Sequence, residues 1–286
     1  MGQRAPIGTG GAYTSVLRFM RHLIPGERLR TAFYLHAIHR PRKILRKSQN
    51  AFYRMDHVYD VCREFSENYD GKFSILEFGV AEGYAFTKKL YATRYLGIED
   101  RVVVHGFDTF DGLPAVDDSV DPSVVIGNEW VPGTYKGNYE DLAAYCSAKY
   151  ANFRLHRGLF KDTLAPDLLS ELDEWKPILI WFDCDYYTST RSVFERLLPY
   201  IPSGCVVYFD DIERNFSSRF SGEMRAVWEL NHGCFGDEVE LVLDLDLAWD
   251  SRRVYRLVNH RSRNSFKMKQ RPAHTARPRG DDSPLP

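Results

Sequence analysis

From residue 72 onward, apolar runs of strand length alternate with helical stretches, and this alternation limits the fold more than any other feature. The predicted strands are KFSILEFGV, VVVHGFDTF, FRLHRGLF, PILIWFD and GCVVYFDD, and a helical stretch follows each of them. Strands that alternate with helices form a mostly parallel sheet with helices on both faces. The segments VELVLDLD and SRRVYRLVN then predict an antiparallel hairpin at the end of an α/β domain.

The distribution of charge divides the chain into three parts. Residues 1–55 carry eleven basic residues and one acidic residue, residues 251–286 carry ten and two, and the part between them carries 17 and 36. We predict a basic helical cap or lid at 1–55, the main domain at 56–259 and a disordered basic tail at 260–286. Basic ends can contact a polyanion or pack near the acidic body. We expect the second arrangement and no nucleic-acid partner.

The sequence predicts neither a membrane span nor a secretory signal. No apolar run reaches 18 residues, and the first residues lack the apolar core of a signal peptide. The five cysteines show no metal-binding or disulfide spacing, and Cys184 and Cys205 lie within apolar runs. Buried free cysteines are typical of a reducing compartment, so we predict a cytoplasmic protein. Whether it forms a homo-oligomer is left open.

A glycine-containing turn follows the first predicted strand of the main domain. The segment ILEFGVAEGYAF places Glu77, Gly79 and Gly83 where a strand turns into a helix. Ligands of open α/β sheets bind at the carboxyl ends of the strands, and glycine permits their close approach. The spacing is not GxGxxG, and Glu77 favours a cationic ligand group over a phosphate. The alternative is a turn that needs its glycines for structural reasons only.

The second strand ends in GFDTFDGLP, which places Asp108, Thr109 and Phe110 beside that turn. An acid at this position typically accepts hydrogen bonds from ribose hydroxyls, although it can equally cap a turn or a helix. A ribose next to a cationic group, without a phosphate, describes S-adenosylmethionine. The sequence therefore predicts an S-adenosylmethionine site that includes these three residues together with Glu77, Gly79 and Gly83.

Two later strands end in pairs of aspartates. Asp183 and Asp185 follow the run PILIWF, and Asp210 and Asp211 follow VVYF. If these strands are neighbours, several carboxylates converge, and a hard cation such as Mg²⁺ or Mn²⁺ relieves their repulsion. With period-two alternation, Asp183 and Asp185 project to one side if the chain stays extended. The alternative is that some of these acids cap helices or pair with arginine.

Six segments together resemble one enzyme family. They are ILEFGVAEG, GFDTFDGLP, HRGLFKDTL, WFDCDYYTST, YFDDI and GEMRAVWE, and they span about residues 56–245. In order and spacing they are similar to the TylF/MycF/NovP-type methyltransferases. The resemblance implies a Rossmann-like class I methyltransferase fold, S-adenosylmethionine as cofactor, Mg²⁺, and methyl transfer to a sugar hydroxyl of a natural product.

The resemblance also implies roles for individual residues. It makes Asp183, Asp210 and Asp211 the metal ligands and Asp185 the general base. It places HRGLFKDTL beside the adenine, with ordinary strand-end packing as the alternative; its candidate contacts are Gly158, Phe160 and Asp162. Cys184 and Tyr186 stand where the family typically has Gly and Met. We expect the backbone to differ at Cys184.

The expected partner is a small hydroxylated acceptor, for which a glycoside is one candidate. The irregular segment 114–137, which contains Trp130 and Tyr135, is expected to line the acceptor pocket. A catechol or phenol O-methyltransferase remains an alternative, although such enzymes often use a lysine near the first aspartate and none follows Asp183. A non-catalytic binding module of the same fold is the second alternative.

Overall fold

The protein is represented by a computed structural model that describes residues 25–41, 56–115, 120–121, 130–248 and 253–269. The chain divides into two units, residues 1–54 and 55–286. In the first unit, an α-helix covers Glu27–Phe33 (α1) and continues as a π-helix over Tyr34–His39. Both helices lie within the segment predicted as a helical cap, residues 1–55. Residues 1–24 and 42–55 of that segment lie outside the described residues.

The second unit is built on a seven-stranded sheet with the order β4-β3-β2-β5-β6-β8-β7. The first five strands of that order are parallel, and β8 and β7 are antiparallel. The strands are β2 Lys72–Phe78, β3 Val102–Asp108, β4 Phe153–Arg157, β5 Trp175–Phe182, β6 Val206–Phe209, β7 Val239–Leu243 and β8 Val254–Asn259. This confirms the Rossmann-like α/β fold and its antiparallel hairpin. The order of the strands reverses between β2 and β5, so their carboxyl ends form the crevice where such folds bind ligands.

Helices connect these strands, as the sequence predicts. Their bounds are α2 Asp56–Asn68, α3 Tyr84–Tyr95, α4 Tyr139–Ser147, α5 Phe160–Thr163, α6 Pro166–Glu171, α7 Tyr187–Leu197, α8 Gly222–Asn231 and α9 Leu245–Ala248. The helical stretch predicted after FRLHRGLF is instead two short helices, α5 and α6. The break falls before Pro166, because proline disfavours a helical conformation in the residue that precedes it.

The sheet separates two apolar cores, because successive strand side chains point to opposite faces. On β6, Val207 and Phe209 join one core, and Val206 and Tyr208 join the other. Helices α7 and α8 contribute to the first core, and α2 and α3 contribute to the second. Both faces are therefore covered, which leaves the carboxyl ends of the strands as the place for a site.

The segment assigned to the basic tail begins with ordered structure. Residues 267–268 form β9, Lys267–Met268, which pairs with β1, Tyr69–Asp70, in a small antiparallel sheet. The first part of the segment predicted as a disordered tail, residues 260–269, is therefore described by the structure, and residues 270–286 lie outside the described residues. Within the described ranges, no helix is long and apolar enough to cross a membrane.

Candidate active site

The turn after β2 requires glycine at position 79. Gly79 has a φ of 95°, and a Cβ there would lie 1.8 Å from the carbonyl oxygen of Asp183. The amide of Gly79 donates to the carbonyl of Phe107, and the amide of Asp183 donates to that of Phe78. The glycine therefore lets the ends of three neighbouring strands come together at one point.

Gly83 begins α3 with a φ of 82°. A Cβ at this position would lie 2.4 Å from Cδ1 of Leu142, a buried residue of α4. Packing against α4 is thus one physical reason for a glycine here. Its predicted contact with a cofactor stays a prediction.

Asp108 holds the backbone of two loops. Its Oδ2 accepts hydrogen bonds from the amides of Val80 and Ala81, at 2.7 and 2.8 Å, and its Oδ1 accepts one from Phe110 at 2.7 Å. These bonds fix the turn after β2, where Ala81 has a positive φ angle, and the loop after β3, where Phe110 has one. A ribose contact would use the remaining lone pairs of this carboxylate. That role, and the cofactor role of the adjacent Thr109, stay predictions.

Glu77 forms a buried ion pair at the end of β2. Its Oε2 lies 2.7 Å from Nζ of Lys89, and both side chains are fully buried. The ammonium also lies 3.8 Å from the ring centroid of Trp181. Burial raises the pKa of Glu77 and lowers that of Lys89, while the pairing opposes both shifts. Oε1 of Glu77 is buried and has no hydrogen-bond partner in the described parts of the chain.

The end of β4 lies beside the end of β3. The amide of Gly158 donates to the carbonyl of Asp108, and α5 begins at Phe160. The Phe160 ring packs edge-on against Phe78 at 5.2 Å, whereas Asp162 is exposed on α5. The structure thus brings Gly158 and Phe160 to the same strand ends as the glycine turn. Their contact with adenine stays a prediction.

The two aspartate-bearing strands are neighbours. Phe182 of β5 pairs with Phe209 of β6, so Asp183 and Asp210 follow at the same level of the sheet. Oxygens of Asp183, Asp210 and Asp211 all lie within 4.8 Å of one another. Three carboxylate groups this close, just after the ends of β5 and β6, form a set of oxygen donors that suits Mg²⁺ or Mn²⁺.

The electrostatic surroundings of these aspartates differ. Burial, followed by repulsion from Asp210 and Asp211, raises the pKa of Asp183 well above its ordinary value. Asp210 accepts hydrogen bonds from the Tyr208 hydroxyl at 2.6 Å and from Arg253 at 3.1 Å. Asp211 accepts one from Nε of Arg214 at 2.5 Å. Arginine pairing, which the sequence left open as an alternative, is therefore present at two of the three aspartates.

Asp185 lies near Asp211, but its backbone conformation differs from the extended one that the sequence argument assumed. Its φ is 60°, so the chain is not extended beyond β5 and the period-two argument does not hold there. Its Oδ1 accepts a hydrogen bond from the indole of Trp130 at 2.8 Å and lies 3.9 Å from Nε of Arg214. Burial and then the charge of Asp211 raise the pKa of Asp185 to about 7, against the lowering effects of Trp130 and Arg214.

The residue between the first two aspartates, Cys184, is buried, and its sulfur lies 3.6 Å from the Thr190 hydroxyl oxygen. The positive φ angle of this segment falls at the next residue, Asp185, and the cysteine does not have one. Helix α7 then begins at Tyr187. Its first turn is held by Asp121, a buried residue from a distant part of the chain that accepts hydrogen bonds from the Tyr187 amide at 2.6 Å and the Thr188 hydroxyl at 2.6 Å.

Sequence reasoning missed several residues of the site, namely Lys89, Asp121, Arg214, Glu223 and Arg253. Glu223 in the first turn of α8 is 1% exposed, and its Oε2 accepts a hydrogen bond from the Asp211 amide at 3.0 Å. Burial, and then repulsion from Asp211 and Asp185, raises its pKa well above the ordinary value. The available signal was weak, because a glutamate early in a helix is common for reasons of helix stability alone.

Comparison with known proteins identifies the domain. Residues 76–212 match the family described as Methyltransferase domain. The chain contains a methyltransferase domain. The matched range begins within β2 and ends just after Asp211, so the methyltransferase domain includes the glycine turn and all four aspartates. The resemblance found in the sequence is thereby confirmed at the level of this domain.

The methyltransferase domain is also similar to solved structures of low sequence identity. The calicheamicin methyltransferase CalS11 is 26% identical, with 91% of this chain and 95% of that chain covered and a TM-score of 0.45. The O-methyltransferase NovP is 20% identical, with coverages of 72% and 79% and a TM-score of 0.49. None of the curated proteins compared with the chain matches it. Since both TM-scores are below 0.5, the assignment depends on the match over residues 76–212.

Proposed function

We propose that the protein is an S-adenosylmethionine- and Mg²⁺-dependent O-methyltransferase that acts on a hydroxyl group, that of a sugar in a natural product. The observation that carries this proposal is the meeting of Asp183, Asp210 and Asp211, whose oxygens lie within 4.8 Å of one another beside the Gly79 turn. The resemblance of the six sequence segments supports the sugar hydroxyl as acceptor.

The three aspartates fit a divalent cation. Their mutual repulsion and their burial are unfavourable without a positive charge between them, as the raised pKa of Asp183 reflects. Arg253 forms an ion pair with Asp210, and Arg214 forms one with Asp211. Mg²⁺, when bound, lowers the pKa of a hydroxyl group that reaches it.

The residues proposed to hold S-adenosylmethionine surround the ends of β2, β3 and β4. S-adenosylmethionine, when bound, supplies the methyl group. Glu77 offers one buried oxygen without a partner among the described residues, which suits a ligand with a cationic group. Asp108 fixes the turn whose glycines permit close approach. The proposed set is Glu77, Gly79, Gly83, Asp108, Thr109, Phe110, Gly158, Phe160 and Asp162.

Asp185 is proposed as the general base. It lies beside the three aspartates, and its pKa of about 7 suits proton transfer near neutral pH. Its carboxylate accepts the proton of the acceptor hydroxyl, while Trp130 holds its Oδ1 at 2.8 Å. Trp130 thereby ties the segment expected to line the acceptor pocket to the base.

Two measurements test the proposal. Calorimetry of the full chain with S-adenosylmethionine should show binding, and labelled methyl transfer to a panel of glycosides should depend on Mg²⁺ and stop in EDTA. Asp183→Asn and Asp210→Asn should each remove the metal dependence together with the activity. Asp100→Asn changes an exposed aspartate and serves as the matched control.

The contrary outcomes separate the alternatives. Full activity of Asp183→Asn in EDTA would rule out the metal role. Transfer to catechols but not to glycosides would favour the phenolic acceptor. Absence of S-adenosylmethionine binding would refute the proposed enzymatic activity and would favour a non-catalytic binding module of the same fold.

A further inference from the structure

Glu223 is a buried carboxylate with one oxygen that makes no hydrogen bond to the described residues. The side chain lies in the first turn of α8 and is 1% exposed. Its Oε1 is buried without a hydrogen-bond partner among the residues that the structure describes. In the same ranges, no lysine, arginine or histidine forms an ion pair with it. A buried, unpaired carboxylate costs several kcal/mol, so this arrangement calls for a bound positive charge or a donor.

The other oxygen fixes where Glu223 lies. Oε2 accepts a hydrogen bond from the Asp211 amide at 3.0 Å, which ties the side chain to a residue of the aspartate cluster. Gly222 precedes it with a φ of 58°, and a Cβ there would come within 3.4 Å of the Asp185 carbonyl oxygen. Helix α8 therefore begins in contact with the site and directs Glu223 toward the aspartates.

Glu223 is nevertheless not one of the direct ligands. The carboxylates whose oxygens lie within 4.8 Å of one another are those of Asp183, Asp210 and Asp211, and Glu223 does not join that group. A magnesium ion held by few carboxylates keeps several of its water molecules. Acceptors beyond the direct ligands orient such water and contribute to metal affinity.

We propose that Oε1 of Glu223 accepts a hydrogen bond from the hydration shell of the divalent cation held by Asp183, Asp210 and Asp211. Glu223 is then a positioning residue that strengthens metal binding without touching the ion. The inference rests on the metal site of the proposed function and adds to it a residue of the GEMRAVWE segment to which the sequence analysis assigned no role.

The test compares Mn²⁺ binding by the full chain and by two variants. Glu223→Gln keeps the size of the side chain, and its oxygen still accepts from the Asp211 amide, but its NH₂ group cannot accept a hydrogen bond from water. Glu240→Gln removes an exposed charge of β7 and is the matched control. Isothermal titration calorimetry gives the affinity, and thermal unfolding with and without Mn²⁺ gives the stabilisation by metal.

We expect Glu223→Gln to bind Mn²⁺ about 10- to 100-fold more weakly than wild type. Without metal it should unfold at the same or a higher temperature, because a buried charge is gone, and it should gain less on addition of Mn²⁺. Glu240→Gln should match wild type in all three quantities. If the glutamine variant does not fold, Mn²⁺ binding is measured with Glu223→Met instead, which lacks both acceptor oxygens, including the one that accepts from the Asp211 amide.

Unchanged Mn²⁺ affinity in Glu223→Gln would overturn the inference while the metal site stands. A loss of stability without metal, combined with unchanged affinity, would assign Glu223 a role in folding only and would also overturn it. Absence of Mn²⁺ binding by the wild type would refute the metal site itself and the inference with it.

Discussion

Replacing Gly79 by alanine should damage both the fold and the aspartate cluster. The added Cβ would lie 1.8 Å from the carbonyl oxygen of Asp183 and 2.6 Å from its carbonyl carbon. Real Cβ atoms stay at least 3.0 Å from such atoms, so the ends of β2 and β5 must separate by about 1.2 Å. That movement strains the 2.8 Å hydrogen bond from Asp183 to Phe78 and displaces a predicted metal ligand.

The expected loss of unfolding free energy in Gly79→Ala has two contributions, backbone strain and steric overlap. An alanine forced into a left-handed conformation costs about 1–2 kcal/mol. Overpacking of a close contact adds about 1–3 kcal/mol. We therefore expect Gly79→Ala to lower the free energy of unfolding by about 2–5 kcal/mol, and the melting temperature by about 2–4 °C for each kcal/mol.

Gly204 provides a matched control. Its φ of 92° is nearly that of Gly79, but a Cβ there meets nothing within 4 Å. Gly204→Ala should therefore show only the backbone part of the cost, with unchanged Mn²⁺ affinity. Urea unfolding followed by tryptophan fluorescence measures the first quantity, and calorimetry measures the second. Equal destabilisation by the two variants, or full Mn²⁺ affinity in Gly79→Ala, would refute the steric reasoning.

Three further predictions concern single side chains. Trp130→Phe removes the 2.8 Å hydrogen bond to Asp185 and should lower kcat about 10- to 100-fold, with the KM for S-adenosylmethionine unchanged in steady-state assays. Lys89→Met leaves Glu77 buried without its cation and should cost about 3–5 kcal/mol in urea unfolding, whereas the double variant with Glu77→Gln should recover much of this loss. Burial lowers the pKa of His105 to about 3, so the unfolded chain binds the extra proton and stability falls as the pH drops from about 6.5 towards 3. Relative to His105→Gln, the wild type should lose about 1.4 kcal/mol for each pH unit between pH 6 and 4, and parallel pH profiles of the two proteins would contradict this.

The order of elements in the main domain follows from hydrophobic periodicity, because each strand is a short apolar run followed by a helix. The sequence argument for a metal site assumed that β5 and β6 are neighbours in the sheet. It could not establish this, since strand pairing depends on tertiary contacts. The structure confirms that assumption through the register Phe182 to Phe209. The strand Lys267–Met268, in the segment predicted as a disordered tail, was missed because two residues are too few to show a periodic apolar pattern.

The site was predictable at the level of residue type and less so at the level of contacts. Period-two alternation would place Asp183 and Asp185 on one side of an extended chain. The position of Asp185 depends instead on its own left-handed backbone conformation, which no sequence rule requires at an aspartate. The ribose argument found Asp108 but not its three bonds to backbone amides. Such bonds are set by loop geometry, and the sequence does not determine them.

The balance of charge at the site adds an argument for cationic ligands. Among the described residues, the acids of the site outnumber its cationic side chains; the acids are Glu77, Asp108, Asp121, Asp183, Asp185, Asp210, Asp211 and Glu223, and the cations are Lys89, Arg214 and Arg253. With all of these groups ionised, negative charges exceed positive charges by five. A divalent cation together with S-adenosylmethionine, whose sulfonium, ammonium and carboxylate groups sum to one positive charge, would offset part of that excess. Because both proposed ligands carry positive charge, each one reduces the negative field that attracts the other, and this effect is reciprocal. Calorimetry should therefore show weaker binding of S-adenosylmethionine in the presence of saturating Mg²⁺, and equal affinity with and without the metal would refute this coupling.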